Sequence, residues 1–128
     1  MTFSALAEQA RSNGLEVRIV ESGQQWDVPD ALSRAAYRIV QEALTNVIRH
    51  ANVTNVTVTL DRGPDAFSLT VRDDGQGAAE VVEGNGVHGM RERATELGGQ
   101  LDVTSTGRGA GTVVTAELPW PQKVRSDT

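Results

Sequence analysis

The chain has 128 residues, 38% of them apolar and 23% charged, and it contains no cysteine. That length suits a single domain that buries roughly two-thirds of its unfolded surface, and the missing cysteines exclude disulfides and thiolate metal sites. A net charge of −5 removes the basic surface that non-specific nucleic-acid binding requires, no apolar run approaches the ~18–20 residues of a bilayer span, and no signal-peptide pattern opens the chain. An anionic small ligand stays open, because backbone amides and a bound cation act locally against a global charge.

Phe3, Leu6 and Ala10 recur at helical spacing, and Asn13-Gly14 supplies a stop. Leu15, Val17 and Ile19 then alternate with Glu16 and Arg18, the pattern of a half-buried strand. Pro29 opens a helix, where its missing N–H costs nothing. The spacing carries that helix to about Ala51, with Leu32, Ala36, Ile39, Ala43 and Val47 on its inner side. Arg38, Glu42, Asn46 and His50 lie four apart and so share another side. By itself that stripe reads as a solvated face, although Asn competes for the backbone and is a poor residue inside a helix.

Val56, Val58 and Leu60, then Phe67, Leu69 and Val71, mark two strands joined by the turn Arg62-Gly63-Pro64-Asp65, which predicts a hairpin. The second strand ends in Asp73-Asp74-Gly75-Gln76-Gly77. Glycines there permit close approach of a ligand to the backbone, and a carboxylate there can accept a hydrogen bond from an exocyclic amine. A plain strand-ending turn explains the segment equally well. Gly84-Asn85-Gly86-Val87-His88-Gly89 fits G-x-G-x-x-G, but residues 78–83 are too short for the strand that a dinucleotide site needs before it. What survives is the N-terminus of the helix marked by Val87, Met90, Ala94 and Leu97 and ended by Gly98-Gly99. Its free N–H groups and positive dipole end suit phosphate. Leu101/Val103 and Val114/Ala116/Leu118 form two last strands, with Gly109-Ala110-Gly111-Thr112 in or beside their turn; from Pro119 the chain is polar and expected to fray. Together these elements predict an α/β two-layer sandwich, with a mixed, largely antiparallel sheet covered on one face by helices.

The four polar elements carry more in order than singly. Tyr37 to Ala51, with Gln41-Glu42-Ala43-Leu44-Thr45-Asn46 inside it, resembles the N box of bacterial sensor histidine kinases of the nitrate-sensor-like group. Asp73 to Gly77 resembles their D-x-G-x-G box, Gly84 to Ala94 their G-x-G-(L)-x-G-M-R-E-R box, and Gly109 to Thr112 their last glycine box. The resemblance spans roughly Leu15 to Leu118.

It implies a Bergerat-type ATP-binding fold, shared with gyrase and related ATPases, and an ATP-binding catalytic domain that uses Mg²⁺. By similarity, Asp73 accepts the adenine amino group, Gly75 and Gly77 shape the pocket floor, and Thr112 lines the adenine end. Asn46 offers its side-chain oxygen to Mg²⁺, and Arg49 and His50 stand near ribose and phosphates. Gly84, Gly86, Val87, His88, Gly89 and Met90 form the loop and helix start against the phosphates, and Glu42 orients or deprotonates the incoming histidine. The resemblance divides the chain into the end of a connecting helix at 1–14, the ATP-binding domain at 15–119 and a polar tail at 120–128.

The same likeness implies a phosphoacceptor histidine on dimerisation helices of the same parent kinase, since neither His50 nor His88 lies on such a helix. It also implies a response regulator served through the parent, a cytoplasmic location below any membrane anchor of the parent, and no phosphohistidine formed by this piece alone. Two departures stand out. Residues 78–83 leave only a short lid without a phenylalanine box, which predicts modest ATP affinity, and Val87 replaces the usual leucine. An anti-sigma-type serine kinase of the same fold and a nucleotide-free interaction module are the competing readings.

Overall fold

The structure, a computed structural model, describes residues 2–24, 27–49, 55–74, 85–105 and 111–121. Helix α1, Phe3–Arg11, is capped by Thr2, whose hydroxyl accepts the Ala5 N–H at 3.0 Å. It buries Leu6, Ala7 and Ala10, and Arg11 donates to the Val17 carbonyl at 2.8 Å, which ties the helix to the next strand.

Strand β1, Glu16–Gly23, is followed by α2, Asp30–Arg49. The Ser33 N–H reaches the Pro29 carbonyl at 2.9 Å, so the helical ladder begins on the proline that the sequence marks. The predicted inner residues Leu32, Ala36, Ile39, Ala43 and Val47 are all buried, and Val40 and Leu44 join them. Helix α2 is the crossover that returns the chain parallel to β1, because parallel neighbours need a long connection. Strand β2, Asn55–Arg62, therefore pairs parallel with β1.

Strands β2 and β3, Ala66–Asp73, form the predicted hairpin, closed where the Gly63 N–H meets the Ala66 carbonyl at 3.0 Å. Helix α3, Asn85–Glu96, ends where the Gly99 N–H bonds the Ala94 carbonyl at 2.8 Å, with Gly98 at φ 77°. That is the left-handed closing residue for which glycine is favoured. Strands β4, Gln100–Ser105, and β5, Thr112–Pro119, complete a sheet of order β1-β2-β3-β5-β4 in which every pairing but the first is antiparallel.

Alternation fixes which face of each strand meets the helices. Val56, Val58, Leu60, Phe67, Leu69, Val71, Val114, Ala116 and Leu118 are buried beneath α1, α2 and α3. Their intervening neighbours, among them Thr57, Thr59, Ser68, Thr70 and Thr115, are half-buried on the other face.

One boundary differs from the sequence expectation. Trp120, expected in a polar tail, is only 3% exposed. Its ring lies 6.0 Å from that of Phe67, and its indole N–H donates to the Gly63 carbonyl at 2.8 Å. A lone aromatic after the last strand leaves no periodic trace. The β2–β3 turn, some fifty residues earlier, is what supplies its pocket and its acceptor.

Candidate nucleotide site

Strand β3 points Phe67, Leu69, Val71 and Asp73 to the helical side of the sheet. The parity that buries three apolar residues thus carries a carboxylate inward at the strand's last position. Asp73 is 9% exposed, and among the described residues it is the one buried polar side chain. Burying a carboxylate is unfavourable unless polar partners compensate. Its Oδ1 accepts the Thr112 N–H at 3.1 Å, from the first residue of β5. Gly111 precedes that contact with φ 77°, and a Cβ there would collide with the Asp73 backbone carbonyl. Two elements that the sequence separates by some forty residues, the D-box aspartate and the last glycine box, therefore meet at one point.

The neighbouring aspartate has a different occupation. Asp74 is exposed and faces the start of β2. Its carboxylate accepts from the Asn55 backbone N–H at 2.9 Å and from the Asn55 side-chain amide at 3.0 Å. The Asp74 N–H donates to the Asn55 carbonyl at 3.1 Å.

Glu42 and Asn46 are half-buried, one turn apart on α2 and beside the buried Ala43 and Val47. They lie along the edge of the helix's packed face rather than on its fully solvated side. Arg38, a turn earlier in the same stripe, is exposed and contacts the Gln41 side chain at 3.4 Å.

On α3, Val87 and Met90 are 7% and 1% exposed and belong to the core, so only their backbone is available to a ligand. His88 is exposed, with Nε2 3.5 Å from a Glu92 carboxylate oxygen. Gly89 is half-buried, and a Cβ there would meet nothing within 4 Å. Arg49 closes α2, and Gly86 lies in the first turn of α3. His50, Gly75, Gly77 and Gly84 lie outside the described residues.

The described part thus offers an inward carboxylate backed by a backbone N–H, two polar side chains on one helix edge, and the start of a second helix. Gly111 as the seat of Asp73, and Asn55 with Asp74, are contributions that the sequence does not assign. For Gly111 a signal exists in its glycine box. For the Asn55–Asp74 pair, 19 residues apart, none does.

A family model described as "Histidine kinase-, DNA gyrase B-, and HSP90-like ATPase" matches residues 31–122. The chain belongs to this ATPase family.

Within it, the likeness is to sensor kinases. The chain is 34% identical over 110 residues to the sensor histidine kinase YxjM of Bacillus subtilis, covering 84% of this chain and 26% of that protein. It is 39% identical over 103 residues to the sensor histidine kinase LiaS of the same organism, covering 74% of this chain and 28% of LiaS. The chain spans about a quarter of the length of these relatives. Among solved structures, the histidine kinase domain of the Erythrobacter litoralis EL346 blue-light activated histidine kinase superposes with a TM-score of 0.67 at 25% identity, over 94% of this chain and 58% of that one.

The chain is accordingly an ATP-binding catalytic domain of the sensor histidine kinase kind, with the α/β sandwich expected for it. Among the described residues, no helix of this domain is long and apolar enough to cross a membrane.

Proposed function

We propose that this domain binds Mg²⁺-ATP and delivers the γ-phosphate to a histidine on separate dimerisation helices of a parent kinase, from which a response regulator is then served. The observation that carries this reading is the inward Asp73 carboxylate, anchored by the Thr112 N–H and seated on Gly111. A buried acceptor at the end of a central strand fits the exocyclic amine of adenine. It offers nothing to a phosphate.

The remaining roles follow from placement and from the sequence motifs. Asn46, on the edge of α2, offers one neutral oxygen to a cation held mainly by phosphate oxygens and water, the coordination Mg²⁺ prefers. Mg²⁺ would supply charge neutralisation at the phosphates. Val87, His88 and Gly89 present backbone at the start of α3; the motifs assign Gly84, Gly86 and Met90 to the same phosphate loop, and Arg49 and His50 to the ribose and phosphates. The D-x-G-x-G motif assigns Gly75 and Gly77 to the pocket floor. Glu42, one turn before Asn46, orients the incoming imidazole or takes its proton. Phosphoryl transfer needs such positioning more than covalent help. We also assign the parent to the nitrate-sensor-like group, a reading supported by the Gln41 to Asn46 segment of the N box, with this domain in the cytoplasm.

Mixing the domain with Mg²⁺-ATP labelled at the γ-phosphate and a separately prepared helical hairpin of the parent tests this directly. Acid-labile label on the hairpin histidine, and none on the domain alone, is expected. Acid-stable label on a serine of a partner protein, with the hairpin unlabelled, would sink the reading in favour of a serine kinase.

A further inference from the structure

Asp73 occupies the last rung of the β2–β3 ladder, opposite Val56. Beyond it, Asn55 and Asp74 are joined by three hydrogen bonds: the Asp74 N–H to the Asn55 carbonyl at 3.1 Å, the Asn55 N–H to Asp74 Oδ1 at 2.9 Å, and the Asn55 side-chain amide to Asp74 Oδ2 at 3.0 Å. Strand ends fray unless something closes the ladder, because the last backbone groups have no further rung. Here closure falls immediately after the carboxylate proposed to hold adenine. Asn55 also begins β2, the strand that follows α2, which carries Glu42 and Asn46. One pair of side chains thus fixes the exit of β3 against the strand that follows the N-box helix. A second fixture, the Gly111–Thr112 contact, holds Asp73 from the β5 side.

We infer that Asn55 and Asp74 form a positioning clamp for the nucleobase, holding β3 closed so that the Asp73 carboxylate is preset for the adenine amino group. Groups that bind a ligand hold their geometry only when the residues behind them are themselves fixed by hydrogen bonds. Both clamp residues are exposed and lie outside the apolar core. Loosening them therefore changes where Asp73 points more than whether the domain folds. The inference rests on the adenine–Asp73 reading above, and its test separates the two.

Affinities for Mg²⁺-ATP, Mg²⁺-ITP and Mg²⁺-tripolyphosphate are measured by calorimetry on the unmodified domain and on Asp73→Ala, Asn55→Ala, Asp74→Ala and the Asn55→Ala/Asp74→Ala double variant, with thermal melts of each. Inosine carries a carbonyl in place of the exocyclic amine, so ITP sets acceptor against acceptor at Asp73 and lacks the contact in question, while tripolyphosphate reports the phosphates without a base. Asn55→Ala keeps the backbone bonds of the clamp and is the variant least able to harm folding. The clamp predicts that Asn55→Ala and Asp74→Ala each weaken ATP binding roughly three- to tenfold. It also predicts that the double variant is no weaker than Asp74→Ala, which already removes both bonds to the Asp74 carboxylate, and that ITP and tripolyphosphate stay within about twofold in the clamp variants. If Asp73→Ala leaves ATP affinity intact, the adenine reading fails and the clamp with it. If Asp73→Ala abolishes the preference for ATP over ITP while Asn55→Ala changes nothing, the clamp alone is refuted. Multiplying effects of the two single variants, or equal losses for ATP and tripolyphosphate, overturn it as well.

Discussion

Replacing Asp73 by asparagine separates the two tasks that the structure gives its carboxylate. One oxygen accepts the Thr112 N–H at 3.1 Å; in the proposed complex the carboxylate also accepts from the adenine amino group. Asparagine keeps one carbonyl oxygen for Thr112 but offers an NH₂ in place of the other, so donor would face donor at the nucleobase. Hydrogen bonds to charged groups contribute about 1.5–3 kcal/mol, and each 1.4 kcal/mol is about tenfold in affinity. Asp73→Asn is therefore expected to weaken Mg²⁺-ATP and Mg²⁺-ADP about ten- to a hundredfold, with its melting temperature close to that of the unmodified domain.

Asp73→Ala removes the acceptor for Thr112 as well, and a polar group deprived of its partner in a buried setting costs about 1–3 kcal/mol. For a domain of this size that lowers the melting temperature by on the order of 5–10 °C. Calorimetric titration and thermal melts of the three proteins supply both numbers. Asp73→Asn binding ATP within twofold of the unmodified domain would refute the nucleobase contact. An Asn variant as unstable as the Ala variant would refute the separation of the two tasks.

Four further outcomes are expected. Gly111→Ala forces a side chain against the Asp73 carbonyl at a positive φ, so it should both destabilise the domain, by about 1–3 kcal/mol from the backbone strain alone, and abolish ATP binding; unchanged melting would contradict the packing described. Gly89→Ala should do the opposite for stability, gaining about 0.5–1 kcal/mol because helix α3 loses a glycine and the new methyl meets open space. Its ATP affinity should fall if phosphates approach that backbone, and unchanged affinity would remove Gly89 from the site. Trp120→Ala should lower the melting temperature by on the order of 10–20 °C, since losing a buried Trp costs about 3–5 kcal/mol; an unchanged melting temperature would disprove the anchoring role of Trp120. Glu42→Gln should leave Mg²⁺-ATP affinity within about twofold while slowing transfer to the hairpin histidine on the order of a hundredfold or more, the scale of one acid–base contribution; normal transfer would strip Glu42 of that role.

The elements themselves were legible because each buries one face and so leaves a period in the sequence. Leu32, Ala36, Ile39, Ala43 and Val47 marked the inner side of α2, and all five are buried. The alternation in 56–60 and 67–71 marked two strands, and Gly98-Gly99 marked the end of α3. The same parity, run two residues past Val71, puts Asp73 on the buried side, so the inward carboxylate was in principle readable without any relative. Trp120 was not, because a single aromatic has no period and its partners, Phe67 and the Gly63 carbonyl, lie in another hairpin.

By itself the sequence determined the helices and strands, the face each one buries, the hairpin at Arg62-Gly63-Pro64-Asp65, and the order of four polar segments that marks a histidine-kinase-type ATPase. Only the tertiary structure decided that β1 pairs parallel with β2, that β5 lies between β3 and β4, and that the N–H of Thr112 and the cradle of Gly111 converge on Asp73. It alone gave Asp73 and Asp74, adjacent and chemically identical, their different partners, the Thr112 N–H for one and Asn55 for the other. The reason is physical: local periodicity is written in side-chain type, whereas strand order and register are made by backbone hydrogen bonds that every residue except proline can form. Which strands meet is set by how the apolar faces pack together, and that is a property of the whole chain.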